Sequence, residues 1–168
     1  FSTERFPDHH RALLNYYSKI LDRNLTPAII DAGANIGTAS LYFSCLYEKA
    51  ICYSIEPDLE NYGLLSSNMN LNNKSFVGFQ GALSSNDGLT FLNTSDFGSI
   101  GFRTGDKGDT QVNSFGLSQL IESLPENEIP FILKIDIDRS PAIAEAFQIY
   151  GVPTLMLFQN GKPLWRES

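Results

Sequence analysis

The chain has 168 residues, about one domain's worth, and its 42% hydrophobic and 18% charged residues are globular composition, not that of a disordered chain or a coiled coil. Twelve basic against nineteen acidic residues leave a net charge of −7, which disfavours nucleic acid as a main ligand. Cys45 and Cys52 cannot build a disulfide framework and match neither a zinc nor a redox-pair spacing, and no apolar run approaches the roughly 18 residues of a membrane helix.

A reducing, cytoplasmic setting without membrane association is therefore expected. The chain opens at Phe1 with neither a Met nor a signal-like segment, and reads as a domain cut from a longer protein. Residues 8–22 predict an amphipathic helix with Asp8 as N-cap and Leu13, Leu14, Tyr17, Ile20 and Leu21 on one face. The apolar run Ala28-Ile29-Ile30-Asp31 predicts a strand, followed by a glycine-bearing turn and a helix over residues 38–47. Residues 50–55 predict a second strand. Residues 58–70 predict a helix with Leu59, Tyr62, Leu65 and Met69 inward, and residues 75–80 a third strand. That alternation implies a parallel sheet with helices on both faces.

Residues 84–115 carry Asn86-Asp87-Gly88 and Gly98, Gly101, Gly105 and Gly108 between short apolar runs, which predicts two or three antiparallel strands. A short helix over residues 116–124 stops at Pro125, and residues 131–136 read as a central strand because they are nearly all apolar. A helix over residues 142–149 follows. A last strand over residues 154–158 should lie parallel to the strand at 131–136, and Asn160-Gly161 signals a hairpin.

Gly33 and Gly37 sit where the first buried strand turns into a helix, and Glu56 ends the next strand 25 positions after Asp31. Glycine allows positive φ and close ligand approach. An acid at the end of the second strand of a doubly wound sheet accepts hydrogen bonds from ribose hydroxyls. The bland alternative is that both glycines serve tight packing and that Glu56 is a solvated acid. Cys45 and Cys52 read as small buried hydrophobes. His9 and His10 read as surface residues, and Asp136 and Asp138 as part of an acidic mouth in preference to a cation site with Glu56. Phe97, Phe102 and Phe115 either line an acceptor pocket or cover a sheet edge.

The run Asp31-Ala32-Gly33-Ala34-Asn35-Ile36-Gly37, then Ile55-Glu56-Pro57-Asp58, then residues 68–72, then Ala82-Leu83-Ser84-Ser85-Asn86-Asp87-Gly88 and Lys134-Ile135-Asp136, resembles the FkbM-type S-adenosylmethionine-dependent methyltransferases over about residues 26–137. The resemblance implies a Rossmann-like fold, S-adenosylmethionine as cofactor, and methyl transfer to a hydroxyl of a sugar or natural product. By that resemblance Asp31, Gly33, Asn35 and Gly37 line the methionine and sulfonium part, Glu56 binds the ribose, Ala82 and Leu83 flank the adenine, and Asp136 is the candidate catalytic base beside the methyl. A cationic cofactor without phosphates suits an acidic mouth.

From Lys134 to about Trp165 the chain is similar instead to the second half of thioredoxin, through Ile135-Asp136-Ile137-Asp138, Tyr150-Gly151-Val152-Pro153-Thr154 and Leu155-Met156-Leu157-Phe158-Gln159-Asn160-Gly161-Lys162-Pro163. No Cys-x-x-Cys is present, so two-thiol disulfide exchange is excluded. Where the methyltransferase pattern has Glu-Gly after Asp136, this chain continues with Ile137-Asp138-Arg139 and has about ten residues after Phe158, which predicts cofactor binding with slow or absent turnover.

The expected architecture is a single α/β domain over residues 1–168. Its part over residues 1–137 is methyltransferase-like and mostly parallel, with an antiparallel insertion around residues 89–115. Residues 138–168 form a thioredoxin-like tail completing the sheet. The expected partner is a small-molecule hydroxyl acceptor, with no metal, and the sequence leaves the oligomeric state open. Two rival readings are a non-catalytic nucleoside-binding or scaffold domain, joined as a chimera to its tail, and a thioredoxin-like interaction module.

Overall fold

A computed structural model of the chain describes residues 7–93, 103–105, 108–136, 145, 148, 155–159 and 162–167. The elements run α1 (Pro7–Asp22), β1 (Thr26–Ala32), α2 (Thr38–Leu46), β2 (Ile51–Glu56), α3 (Leu59–Leu71), β3 (Phe76–Gln80), β4 (Ala82–Ser84), β5 (Gly88–Asn93), β6 (Arg103–Gly105), β7 (Thr110–Gly116), α4 (Leu117–Glu122), β8 (Glu128–Ile135), β9 (Leu155–Gln159) and β10 (Lys162–Glu167). No helix among the described residues is long and apolar enough to cross a membrane.

The first sheet has the order β3-β2-β1-β8, with every pair parallel. Its centre is β1, buried from Pro27 to Ala32 because apolar side chains face helices on one side and the second sheet's packing on the other. One core gathers Ala28, Ile30, Ala32, Tyr53, Ile55, Leu83 and Leu120; the other gathers Ile29, Ala34, Tyr47, Cys52, Leu65 and Met69. The two sets alternate along β1 and β2, as the two-residue strand period requires. In the second sheet, ordered β4-β7-β5-β6, β5 is antiparallel to both β6 and β7. The result is a mixed α/β architecture whose larger core rests on a parallel sheet.

Several expectations change. Leu59 is 69% exposed, because as the first helical residue after the Asp58 cap it lies off the face that Leu65 and Met69 share one turn apart. The strand at 131–136 extends back to Glu128 and is half-buried at the sheet's edge among the described residues; β1, not β8, is central. The antiparallel insertion around residues 89–115 is present as β5, β6 and β7, and β4 just before it pairs parallel with β7. Among the described residues β9 pairs only with β10, antiparallel, and no ladder joins it to β8. The expected helix over 142–149, the Val152-Pro153 step, the Asn160-Gly161 turn, Phe97, Phe102 and Asp138 lie outside the described residues, as do the side chains of His9 and His10.

Leu65 is fully buried in the layer between α3 and β1–β2. Leu65→Ala should cost about 2–5 kcal/mol from lost transfer and an unfilled cavity. Urea unfolding should show a lower midpoint with an unchanged slope.

Candidate functional site

After Ala32 the chain leaves the centre of the sheet in a tight turn. Gly33 (φ 77°), Asn35 (φ 52°) and Gly37 (φ 88°) all have left-handed backbone. A methyl group on Gly33 would lie 2.5 Å from Asp136 Cβ, and one on Gly37 would lie 2.6 Å from Leu65 Cδ1. Both glycines thus answer to backbone conformation and to close packing together. The Gly33 and Ala34 N–H groups donate to the Ile55 carbonyl at 2.9 and 3.0 Å, and Asn68 Nδ2 donates to the Ile36 carbonyl at 2.8 Å. The turn is therefore laid over the end of β2.

Glu56 receives that turn. Its Oε2 accepts the Asn35 N–H at 2.8 Å and its Oε1 the Asp58 N–H at 3.0 Å. The side chain is fully buried, so it is neither a solvated acid nor an open one. Carried one step past the Ala32–Ile55 and Ala32–Ile135 pairs, the register sets Gly33 between Glu56 and Asp136. The Asp136 N–H donates to the Ala32 carbonyl at 2.9 Å.

Asp31 is fully buried one residue before the turn, flanked in register by Ser54 on β2 and Lys134 on β8. Ser40 on α2 donates to its Oδ2 at 2.6 Å and lies 2.9 Å from the Ser54 hydroxyl. The Lys134 ammonium is 3.0 Å from Asp31 Oδ1 and donates to the Gly33 carbonyl at 2.7 Å. Oδ1 accepts no directed hydrogen bond: the approach of Lys134 is that of an ion pair.

The structure therefore brings Asp31, Gly33, Asn35, Glu56 and Asp136 together at the C-terminal edge of the sheet. Gly37 stands at the N-terminus of α2, packed on α3. Ala82 and Leu83 are core residues of β4: Ala82 clusters with Leu92 and Val112, and Leu83 joins the core of β1 and β2. The two residues are 3% and 6% exposed. Sequence reasoning passed over Ser40, Ser54 and the role of Lys134. The available signal was an Asp alone among the uncharged residues of β1 and a Lys that follows the apolar run of β8. Among the described residues no three His, Cys, Asp or Glu side chains are grouped to hold a metal ion. A depression of about 370 Å³ lined by Tyr16, Lys19, Ile20, Asp22 and Arg23 lies on α1, whose C-terminus leads into the opposite end of β1.

Cys45 is exposed, contrary to expectation, while Cys52 is buried, and neither is in a disulfide. Burial pushes the Cys52 thiol up to about 11, with the Ser44 hydroxyl 3.1 Å away partly opposing the shift. Burial likewise pushes the Tyr47 phenol up to about 12. Tyr53 is raised first by burial, then by its 2.7 Å hydrogen bond to Glu128 Oε2.

The family model of thioredoxin matches residues 116–167. The matched segment begins earlier than Lys134, and takes in α4 and β8 as well as β9 and β10. Thioredoxin of Chlamydia muridarum is 46% identical over 53 residues, 30% of this chain and 51% of the relative. A thioredoxin-like protein of Synechocystis is 51% identical over 35 residues, 21% of this chain and 33% of the relative. A bifunctional thioredoxin reductase/thioredoxin of Mycobacterium leprae is 43% identical over 35 residues, 21% of this chain and 8% of the relative. The chain spans about half the length, at most, of these curated relatives. No solved structure matches. The C-terminal part is thus thioredoxin-like.

Two measurements check the thiol environments. Iodoacetamide at pH 8 should modify one thiol per native chain, Cys45, and two after denaturation, as read by mass spectrometry. Because Cys52 ionises at a higher pH folded than unfolded, its stabilising contribution is complete below about pH 9 and is lost as pH rises toward about 11. Cys52→Ala should flatten that part of the alkaline stability profile.

Proposed function

We propose that the C-terminal edge of the parallel sheet at β1 is an S-adenosylmethionine site, in a domain that acts as an O-methyltransferase on a small-molecule hydroxyl. The thioredoxin-like segment then forms one wall of the domain and works without two-thiol chemistry. The observation that carries this reading is the strand order. β2 and β3 extend the sheet to one side of β1, and the chain then crosses to place β8 on the other. Ligands of open parallel sheets enter the crevice at such a switch point, beyond the carboxyl ends of the strands. At that end of the sheet here stand a turn with three left-handed residues and the partly exposed Asp136, with the fully buried Asp31 and Glu56 beside them.

The donor set suits the cofactor. S-adenosylmethionine is cationic at its ammonium and sulfonium, and three carboxylates stand here against one ammonium, Lys134. Asp31 Oδ1 is in addition a buried oxygen without a directed hydrogen bond. Glu56 would hold the ribose hydroxyls, the backbone of Ala82 and Leu83 would edge the adenine, and the turn from Gly33 to Gly37 would take the methionine part. When bound, the cofactor supplies an electrophilic methyl group. Asp136 would orient an acceptor hydroxyl and take its proton. Because Glu56 is buried and holds Asn35, binding requires the turn to yield outward at Asn35.

Calorimetric titration of the chain with S-adenosylmethionine and S-adenosylhomocysteine tests the reading. Saturable binding is expected, weakened about ten- to hundredfold by Glu56→Ala, since hydrogen bonds to a charged acceptor contribute roughly 1.5–3 kcal/mol. A parallel melting curve separates that loss from unfolding. Absence of binding to either ligand rejects the reading. Binding without acceptor-dependent release of S-adenosylhomocysteine, over sugars and hydroxylated natural products, would assign the chain to a non-catalytic binding or scaffold role.

A further inference from the structure

We infer that Lys134 is the positioning residue of the glycine turn, a latch reaching from β8 onto the adjacent β1. The inference deepens the cofactor reading above and rests on it for the ligand, though not for the latch itself.

The turn is held from two sides by different chemistry. Its N–H groups point toward β2: Gly33 and Ala34 donate to the Ile55 carbonyl, and Asn35 donates to Glu56. Its first carbonyl points the other way, and Lys134 Nζ is its donor at 2.7 Å. The same ammonium is the counter-charge of Asp31, which is fully buried and whose other oxygen is taken by Ser40. Lys134 is one-third exposed, so its side chain bridges the solvent-facing crevice and the buried carboxylate.

That double engagement ties the turn to a charge. A buried carboxylate needs its partner close, and the ammonium held beside Asp31 is also the donor that the Gly33 carbonyl, facing β8, meets. Gly33 reaches that orientation through its left-handed φ, and the Asp136 side chain packed against its Cα leaves no space for a side chain there. A ligand entering between β1 and β8 thus meets a turn whose position is set from the opposite strand. Lys134 contributes by holding that turn, without itself reacting.

Hydrogen exchange on the ligand-free chain, followed by NMR, tests the latch. Lys134→Met keeps the stem and removes the charge; Lys134→Arg restores both charge and donors. The Gly33, Ala34 and Asn35 amides should exchange at least tenfold faster in Lys134→Met, while core amides of β1 and β2 change less, and Lys134→Arg should recover most of the protection. Should Lys134→Met fail to fold because Asp31 is left unpaired, Asp31→Asn combined with Lys134→Met removes both charges. The turn amides should still exchange fast in that double variant. Unchanged turn amides, or turn amides that change only in step with the core, overturn the latch. Affinity for S-adenosylhomocysteine is read separately and should fall about tenfold in Lys134→Met and return in Lys134→Arg. Failure of the original chain to bind that ligand would overturn the cofactor reading, while the exchange result alone decides the latch.

Discussion

A fully buried carboxylate at the end of the central strand constrains everything around it. Asp31 cannot be left alone in the sheet, because an unpaired charge there would cost several kcal/mol. β2 supplies Ser54 at its flank, α2 supplies the Ser40 hydroxyl, and β8 supplies Lys134. Each of these comes from a different element, so the one charge ties the packing of α2 on the sheet to the pairing of β8 with β1. Removing one partner of a buried pair costs about 3–5 kcal/mol, and the partial exposure of Lys134 places this pair toward the lower end. The turn at Gly33 inherits its direction from the same ammonium.

β8 is also where two sequence patterns meet. It is the strand that pairs parallel with β1 and carries Lys134 to the crevice, and it lies inside the segment that matches thioredoxin. A half-buried parallel strand with an acid just beyond its end satisfies both patterns, because each asks only for an apolar run entering a sheet. The patterns part company afterwards. β9 and β10 form their own antiparallel ladder, while the glycine turn and Glu56 belong to the N-terminal side. The thioredoxin-like part carries no Cys-x-x-Cys.

The order of elements up to β3 was legible because each apolar run is bounded by strong punctuation: Asn24 before β1, glycines after it, and Pro57-Asp58 after β2. The acid-glycine-acid spacing likewise picked out residues that the structure brings together at the end of β1. What escaped was set by partners distant in sequence. Leu59 stands six positions before Leu65, off the face that Leu65 and Met69 share, and is exposed. An apolar strand such as β8 reads as central whether or not its second neighbour is present. Lys134 was visible as part of a motif, but its reach to Gly33, 101 positions away, follows only from the register between β1 and β8. Glu56 was singled out for a ligand, and its grip on the Asn35 N–H shows that it also holds the turn.

The most direct test of a cofactor site at the β1 switch point is to map bound S-adenosylhomocysteine by amide chemical-shift changes. The account predicts the largest changes in the turn from Gly33 to Gly37, at Glu56, and at Leu83 and Asp136. Changes confined to the α1 depression at Tyr16 and Arg23, or no change at millimolar ligand, would contradict it.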